Sequence, residues 1–194
     1  MIAGALQSLT IGDPRDLKTD VGPVIDEPAK KALDDHLLWL DKNARKLGQL
    51  ALHTGAEHGS FVAPSMYEIS SLSQLNRENF GPILHVVRFS GEKLGEVVDA
   101  INATGYGLTI GLQSRIDTTR EFVEQRARVG NFYVNRNQIG AVVESQPFGG
   151  EGLSGTGPKA GGPHYVARFA TERVTCIDTT AAGGNATLMA ALEG

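Results

Sequence analysis

Ile83-Leu84-His85-Val86-Val87-Arg88-Phe89 decides the fold: a nearly continuous apolar run of strand length, as a strand buried on both faces would show. C-terminal to it, Glu92 to Asn102 suits a helix and "GLTIGLQS" from Gly107 a strand. A second helix begins at Asp117, runs to about Arg128 and is ended by Gly130; "NFYVN" from Asn131 is the next strand. Strand, helix, strand, helix, strand over residues 83–134 predicts an α/β unit with a parallel sheet and helical crossovers. On the N-terminal side, Phe61-Val62 and Met66 to Ile69 read as strand pieces around Pro64. Glu27 to Leu47 reads as the longest helix, because Leu33, Leu37, Leu40, Ala44 and Leu47 fall on one face. Asp26 is its N-cap, Pro28 sits in the tolerated first turn, and Gly48 supplies the stop before a short strand from Leu50 to His53. The leucine face is core rather than a zipper, since it spans only about two heptads.

Past Asn135 the texture changes. Residues 136–163 hold eight glycines and three prolines with no sustained period. Loops of that length in compact domains are usually functional or disordered. Within them Gly150-Glu151-Gly152-Leu153-Ser154-Gly155 spells G-x-G-x-x-G, the glycine pattern of a dinucleotide turn. That turn needs a strand before it and a helix N-terminus after it, to present free N–H groups to a pyrophosphate. Here Pro147 precedes, and Thr156-Gly157-Pro158 with two further glycines follows, so neither condition is met. The glycines answer to close backbone approach or tight turns instead. Beyond Pro163, "HYVARF" suits one short helix, "ERVTCIDT" alternates as a strand, and the small-residue end reads as a loosely held tail.

A net charge of −4, with Lys and Arg dispersed, offers no basic face for nucleic acid or anionic lipid. No apolar run approaches the roughly 20 residues of a membrane helix, and the start has no charged leader or cleavage pattern. The one cysteine, Cys176, cannot form an internal disulfide, which suits a reducing cytoplasm. No glycine turn or helix N-terminus lies near it in "RVTCIDT", so it reads as an ordinary thiol rather than a nucleophile. His53, Glu57 and His58 in "HTGAEHG" lack further ligands at useful spacing and read as a surface turn, and no metal is expected. Lys159 reads as an exposed loop lysine.

Two motifs carry a resemblance. "ENFGPILHVV", Glu78 to Val87, is similar to the E-x-F-G-P segment of the aldehyde dehydrogenase superfamily. "QPFGG", Gln146 to Gly150, resembles its P-F-G-G segment, and "GNFYVN" the strand before it. Order and spacing agree over about residues 8 to 178. Within the superfamily "VGPVID", "NRNQIGAVVESQPFGG" and "GTGPKAGGPHYVARFATE" most resemble Δ1-pyrroline-5-carboxylate (L-glutamate γ-semialdehyde) dehydrogenases, as found at the C-terminal end of bifunctional proline utilization A (PutA) proteins.

The resemblance implies NAD-dependent oxidation of glutamate semialdehyde to glutamate through a cysteine thioester. It assigns Glu78 to the hydroxyls of the nicotinamide ribose and Phe80 to packing beside the nicotinamide, on a turn shaped by Gly81-Pro82. Gly140 and Ala141 match the loop that anchors the substrate carboxylate through backbone N–H groups, and Phe148 would line the aldehyde pocket. It divides the chain into a catalytic-domain part, residues 1–163, and a flap strand and tail, residues 164–194, that would join another subunit in a homo-oligomer. The family's nucleophilic cysteine and Rossmann-like domain lie upstream of the segment matching Met1, so the chain looks like the C-terminal part of an enzyme, inactive alone. FAD would belong only to a proline dehydrogenase domain of a PutA-type parent. A non-catalytic assembly copy of the fold and another aldehyde specificity are the rival readings.

Overall fold

The computed structural model describes residues 1–52, 56–139, 141–142, 145–178, 187, 190 and 191. After a short α1 (Ile2–Gln7), the longest helix is α2 (Glu27–Asn43). Its N-terminus is set locally: the Asp26 carboxylate accepts from the Ala29 N–H and Pro28 occupies the first turn. The helix ends four residues before the expected Leu47. Ala44 is already extended (φ −137°, ψ 165°), and the Asn43 amide donates to the Trp39 carbonyl at 2.8 Å, satisfying a last-turn acceptor. The chain turns straight into β1 (Arg45–Gln49), so Leu47 and Gly48 lie in a strand and Gly48 stops nothing. The strand expected at Leu50–His53 is displaced to β1, and His53 itself lies outside the described residues.

β1 pairs antiparallel with β2 (Ser65–Glu68), with a register irregularity between Lys46 and Gly48, and β2 pairs parallel with β3 (Ile83–Val86). Phe61 and Val62 are buried but lie outside any strand. α2 covers this sheet: Leu33, Leu40, Val62, Tyr67, Ile69 and Ile83 form the main core cluster, with Leu37 and Ala44 packed against it. Tyr67 is fully buried and gives its hydroxyl to Asp41 at 2.6 Å, while Lys46 reaches the same carboxylate at 2.8 Å. The Lys46 ammonium, then the Tyr67 hydroxyl, holds the Asp41 carboxyl below the usual carboxylate range, and burial raises the tyrosine.

The alternation beyond β3 follows the sequence closely: α3 (Leu94–Ala103), β4 (Tyr106–Gly107), β5 (Thr109–Leu112), α4 (Asp117–Arg126) and β6 (Asn131–Val134). β5 and β6 are parallel and joined through α4, the crossover unit that the alternation predicts. Arg126 clamps α4 to α3 through Asp99, and Asn102 takes the Arg128 N–H while donating to the Arg126 carbonyl. Asn135 closes the unit: at φ 55° its side chain holds both the N–H and the carbonyl of Ser114.

Three expectations need correction. The strands do not form one parallel sheet: β1-β2-β3 is mixed and β5-β6 is separate, with β3 at the edge of its own sheet. Nor is β3 buried on both faces; Leu84 is 45% exposed. Residues 171–178 form no strand and are exposed, so the alternating faces expected of "ERVTCIDT" are not built within this chain, and Cys176 is exposed. "HYVARF" does form a single short 3₁₀ turn, Val166–Phe169.

Candidate functional site

The turn that enters β3 is fixed by backbone bonds. The Ser65 N–H donates to the Pro82 carbonyl at 3.0 Å and the Ile83 N–H to the Gly81 carbonyl at 2.8 Å. Gly81 sits so close to α2 that a Cβ there would lie 2.4 Å from Leu33 Cδ1. Opposite, the strap Val21–Ile25 is held by the Val24 N–H donating to the Ser60 carbonyl at 2.8 Å. Between strap and turn lies a cavity of about 670 Å³ lined by Val21–Ile25, Ala29 and Glu78–Pro82.

Glu78 and Phe80 therefore face one cavity, as the sequence motif implies. Phe80 is 86% exposed, so its ring is open at the cavity. Among the described residues the Glu78 carboxylate has no hydrogen-bond or ion-pair partner. The exposed Glu78 carboxylate can accept hydroxyl donors, and the Phe80 ring beside it offers an apolar face on the same cavity.

The glycine-rich loop builds a second cavity, about 380 Å³, lined by Phe148–Gly150, Ser154–Pro158, Ala160, Tyr165 and Arg168, with Leu108 beneath. Its G-x-G-x-x-G stretch is no dinucleotide turn. Glu151–Gly152 forms β7, antiparallel to β4, and a turn follows it rather than a helix. The glycines permit backbone contact: a Cβ on Gly130 would lie 1.9 Å from the Gly149 carbonyl oxygen, and one on Gly155 2.3 Å from that of Gly150.

Phe148 lines this second cavity, and Ala141 is half-buried but lines neither. Gly140 lies outside the described residues. Two polar side chains act on this loop, one that the sequence did not single out and one that it misplaced. Asn131 donates to the Pro147 carbonyl at 3.0 Å and accepts from the Gly149 N–H at 3.1 Å. Lys159 is half-buried rather than an exposed loop lysine, because its ammonium donates to the Gly149 carbonyl at 2.6 Å. Their sole signal was position: Asn131 opens a strand and Lys159 follows Pro158 among glycines. Cys176 lines neither cavity, and among the described residues no three His, Cys, Asp or Glu side chains gather as a metal set.

Comparison with known proteins agrees with the motifs. The pattern of the aldehyde dehydrogenase family matches residues 1–175. Among curated relatives, bifunctional protein PutA of Klebsiella aerogenes is 48% identical over 178 residues, covering 89% of this chain and 14% of that protein. The 1-pyrroline-5-carboxylate dehydrogenase of Geobacillus sp. (strain WCH70) is 36% identical, with 82% of this chain and 31% of the relative covered. A crystal structure of a mutant Bradyrhizobium japonicum proline utilization A superposes with a TM-score of 0.85 at 56% identity over 94% of this chain and 18% of that one. A Thermus 1-pyrroline-5-carboxylate dehydrogenase with bound NAD superposes at 0.76 and 31% identity, over 86% of this chain and 32% of its own. The chain thus spans between about a seventh and a third of the length of these relatives.

Proposed function

Because the chain belongs to the aldehyde dehydrogenase family, we propose that it is the C-terminal part of a Δ1-pyrroline-5-carboxylate dehydrogenase of the PutA type, oxidising L-glutamate γ-semialdehyde to glutamate with NAD. The observation that carries this reading is the unpartnered Glu78 carboxylate beside the open Phe80 ring in one cavity. That pair fits a nicotinamide ribose. Two adjacent hydroxyls can donate to one carboxylate, and the ring gives the nicotinamide end an apolar face to rest on. NAD, when bound, supplies the hydride acceptor. The chain's own task is to hold it: Glu78 orients the ribose, Phe80 limits its swing, and Gly81-Pro82, pinned to α2 and β2, keep both from moving.

On the aldehyde side, Phe148 provides an apolar wall for the short carbon chain, and the Gly140-Ala141 backbone supplies N–H donors to its carboxylate. Cys176, exposed and outside both cavities, is not the nucleophile; the isolated chain is inactive because the family's nucleophilic cysteine and Rossmann-like domain are supplied by the rest of the parent enzyme. The exposed apolar residues Tyr165, Val166, Phe169, Val174 and Ile177 belong to a flap that docks on another subunit of a cytoplasmic homo-oligomer.

The test replaces the matching 178-residue segment of the Klebsiella PutA protein by this chain's counterpart. A soluble chimaera that forms NADH in proportion to added semialdehyde supports the reading. A soluble, folded chimaera that forms none, beside an active unmodified host, overturns it.

A further inference from the structure

We propose that Asn131 and Lys159 are positioning residues that fix Phe148 as a wall of the aldehyde pocket, a proposal resting on the dehydrogenase reading above. The ring sits on a loop whose backbone is bonded at every polar group it owns there. Phe148 exchanges both bonds with Ala160, N–H to carbonyl at 3.0 Å and the reverse at 2.9 Å. The Pro147 carbonyl before the ring and the Gly149 N–H after it both go to the one Asn131 side chain, at 3.0 and 3.1 Å. The Gly149 carbonyl takes the Lys159 ammonium at 2.6 Å. Proline has no N–H, so from the Pro147 carbonyl to the Gly149 carbonyl nothing is left unpaired.

That degree of restraint is uncommon for a loop, whose polar groups usually turn to water. A side-chain amide is suited to this task because it carries a donor and an acceptor about 2 Å apart on one rigid plane, and so bridges one residue of extended chain. Asn131 is itself held at the start of β6, paired with Thr109 of β5, so the restraint is referred to the parallel sheet rather than to another loop. Close approach is what Gly130 allows, since any Cβ there would meet the Gly149 carbonyl. The sheet thus sets the ring through Asn131, and Lys159 holds the far side, which faces the cavity shared with Tyr165 and Arg168.

The chimaera decides it with Asn131→Ala and, should that variant fold poorly, Lys159→Met. Losing two ties at Asn131 is expected to raise the KM for glutamate semialdehyde roughly tenfold, the worth of one to two ordinary hydrogen bonds, and Lys159→Met by roughly threefold. The KM for NAD stays within roughly twofold in both, because Glu78 and Phe80 line a different cavity. Equal losses for both substrates, or no change for either, overturn the proposal. If the unsubstituted chimaera forms no NADH, the dehydrogenase reading fails on its own account. The clamp is then read in the 194-residue chain by amide exchange. Exchange at the Phe148 and Gly149 N–H groups at least tenfold faster in Asn131→Ala keeps Asn131 as the restraint, and unchanged rates discard it.

Discussion

The two cavities stand on opposite kinds of support. The Glu78 side rests on a conventional core, in which α2 buries Leu33 and Leu40 against Val62, Tyr67 and Ile83. Among the described residues beyond Ile83, only Val98, Val123 and Tyr133 are buried apolar side chains, and the Phe148 loop itself is held by backbone bonds, two polar side chains and glycine contacts. Area removed from water stabilises the first region, and geometry specifies the second. A core tolerates a range of apolar side chains of similar volume, whereas a carbonyl lying against Gly130 tolerates none.

Substitution should separate the two. Leu40→Ala empties a fully buried site and is expected to cost about 3 kcal/mol. Trp39, the one tryptophan, lies next to it on α2, so urea unfolding followed by its fluorescence should show the whole loss. Gly130→Ala is expected to cost about 2 kcal/mol, because backbone must move to admit a Cβ. Its loss should appear first as faster amide exchange at Phe148, Gly149 and Ala160, before the Trp39 signal changes. If both variants unfold the two regions together, the division between them is wrong.

A smaller effect sharpens the α2 side. His36 on α2 and His85 on β3 meet Nε2 to Nε2 at 2.8 Å, with His36 stacked on Trp39. Burial lowers the affinity of both rings for a proton; the Arg77 cation adds to this at His36, and His36 adds to it at His85. The fold therefore favours the neutral rings. Their contribution is fully present above the ordinary imidazole value of 6.5 and is lost as pH falls through and below it. The urea midpoint should drop between pH 7.5 and 5.5, and His85→Phe should flatten that dependence. An unchanged slope in His85→Phe would assign the effect to other groups.

The same division governs what the sequence made legible. Periodicity located α3, β5, α4 and β6 well, because each is set by residues within a few positions of itself. It carried α2 too far, since Ala44 and Leu47 continue the 3-4 spacing on a chain that has already turned extended. β1, with Arg45, Lys46 and Gly48, has no strand composition and exists through pairing with β2, which no local pattern reveals. In the same way the motifs that single out Glu78, Phe80 and Phe148 are short stretches whose order is distinctive, and all three residues line cavities. Asn131 and Lys159 were not readable in that way, because each acts on the backbone of a residue 18 or 10 positions away. The single parallel sheet expected from the alternation failed for a related reason: alternation fixes the crossover of β5 and β6 but says nothing about which strand flanks β3.

The most direct test of the central claim, that Glu78 holds the nicotinamide ribose, is the KM for NAD of the active chimaera carrying Glu78→Gln. The amide keeps the shape but loses the charge that strengthens both hydroxyl bonds, so the KM for NAD should rise roughly tenfold while that for the semialdehyde moves less than roughly twofold. An unchanged KM for NAD would remove Glu78 from the cofactor site and, with it, the assignment of the first cavity.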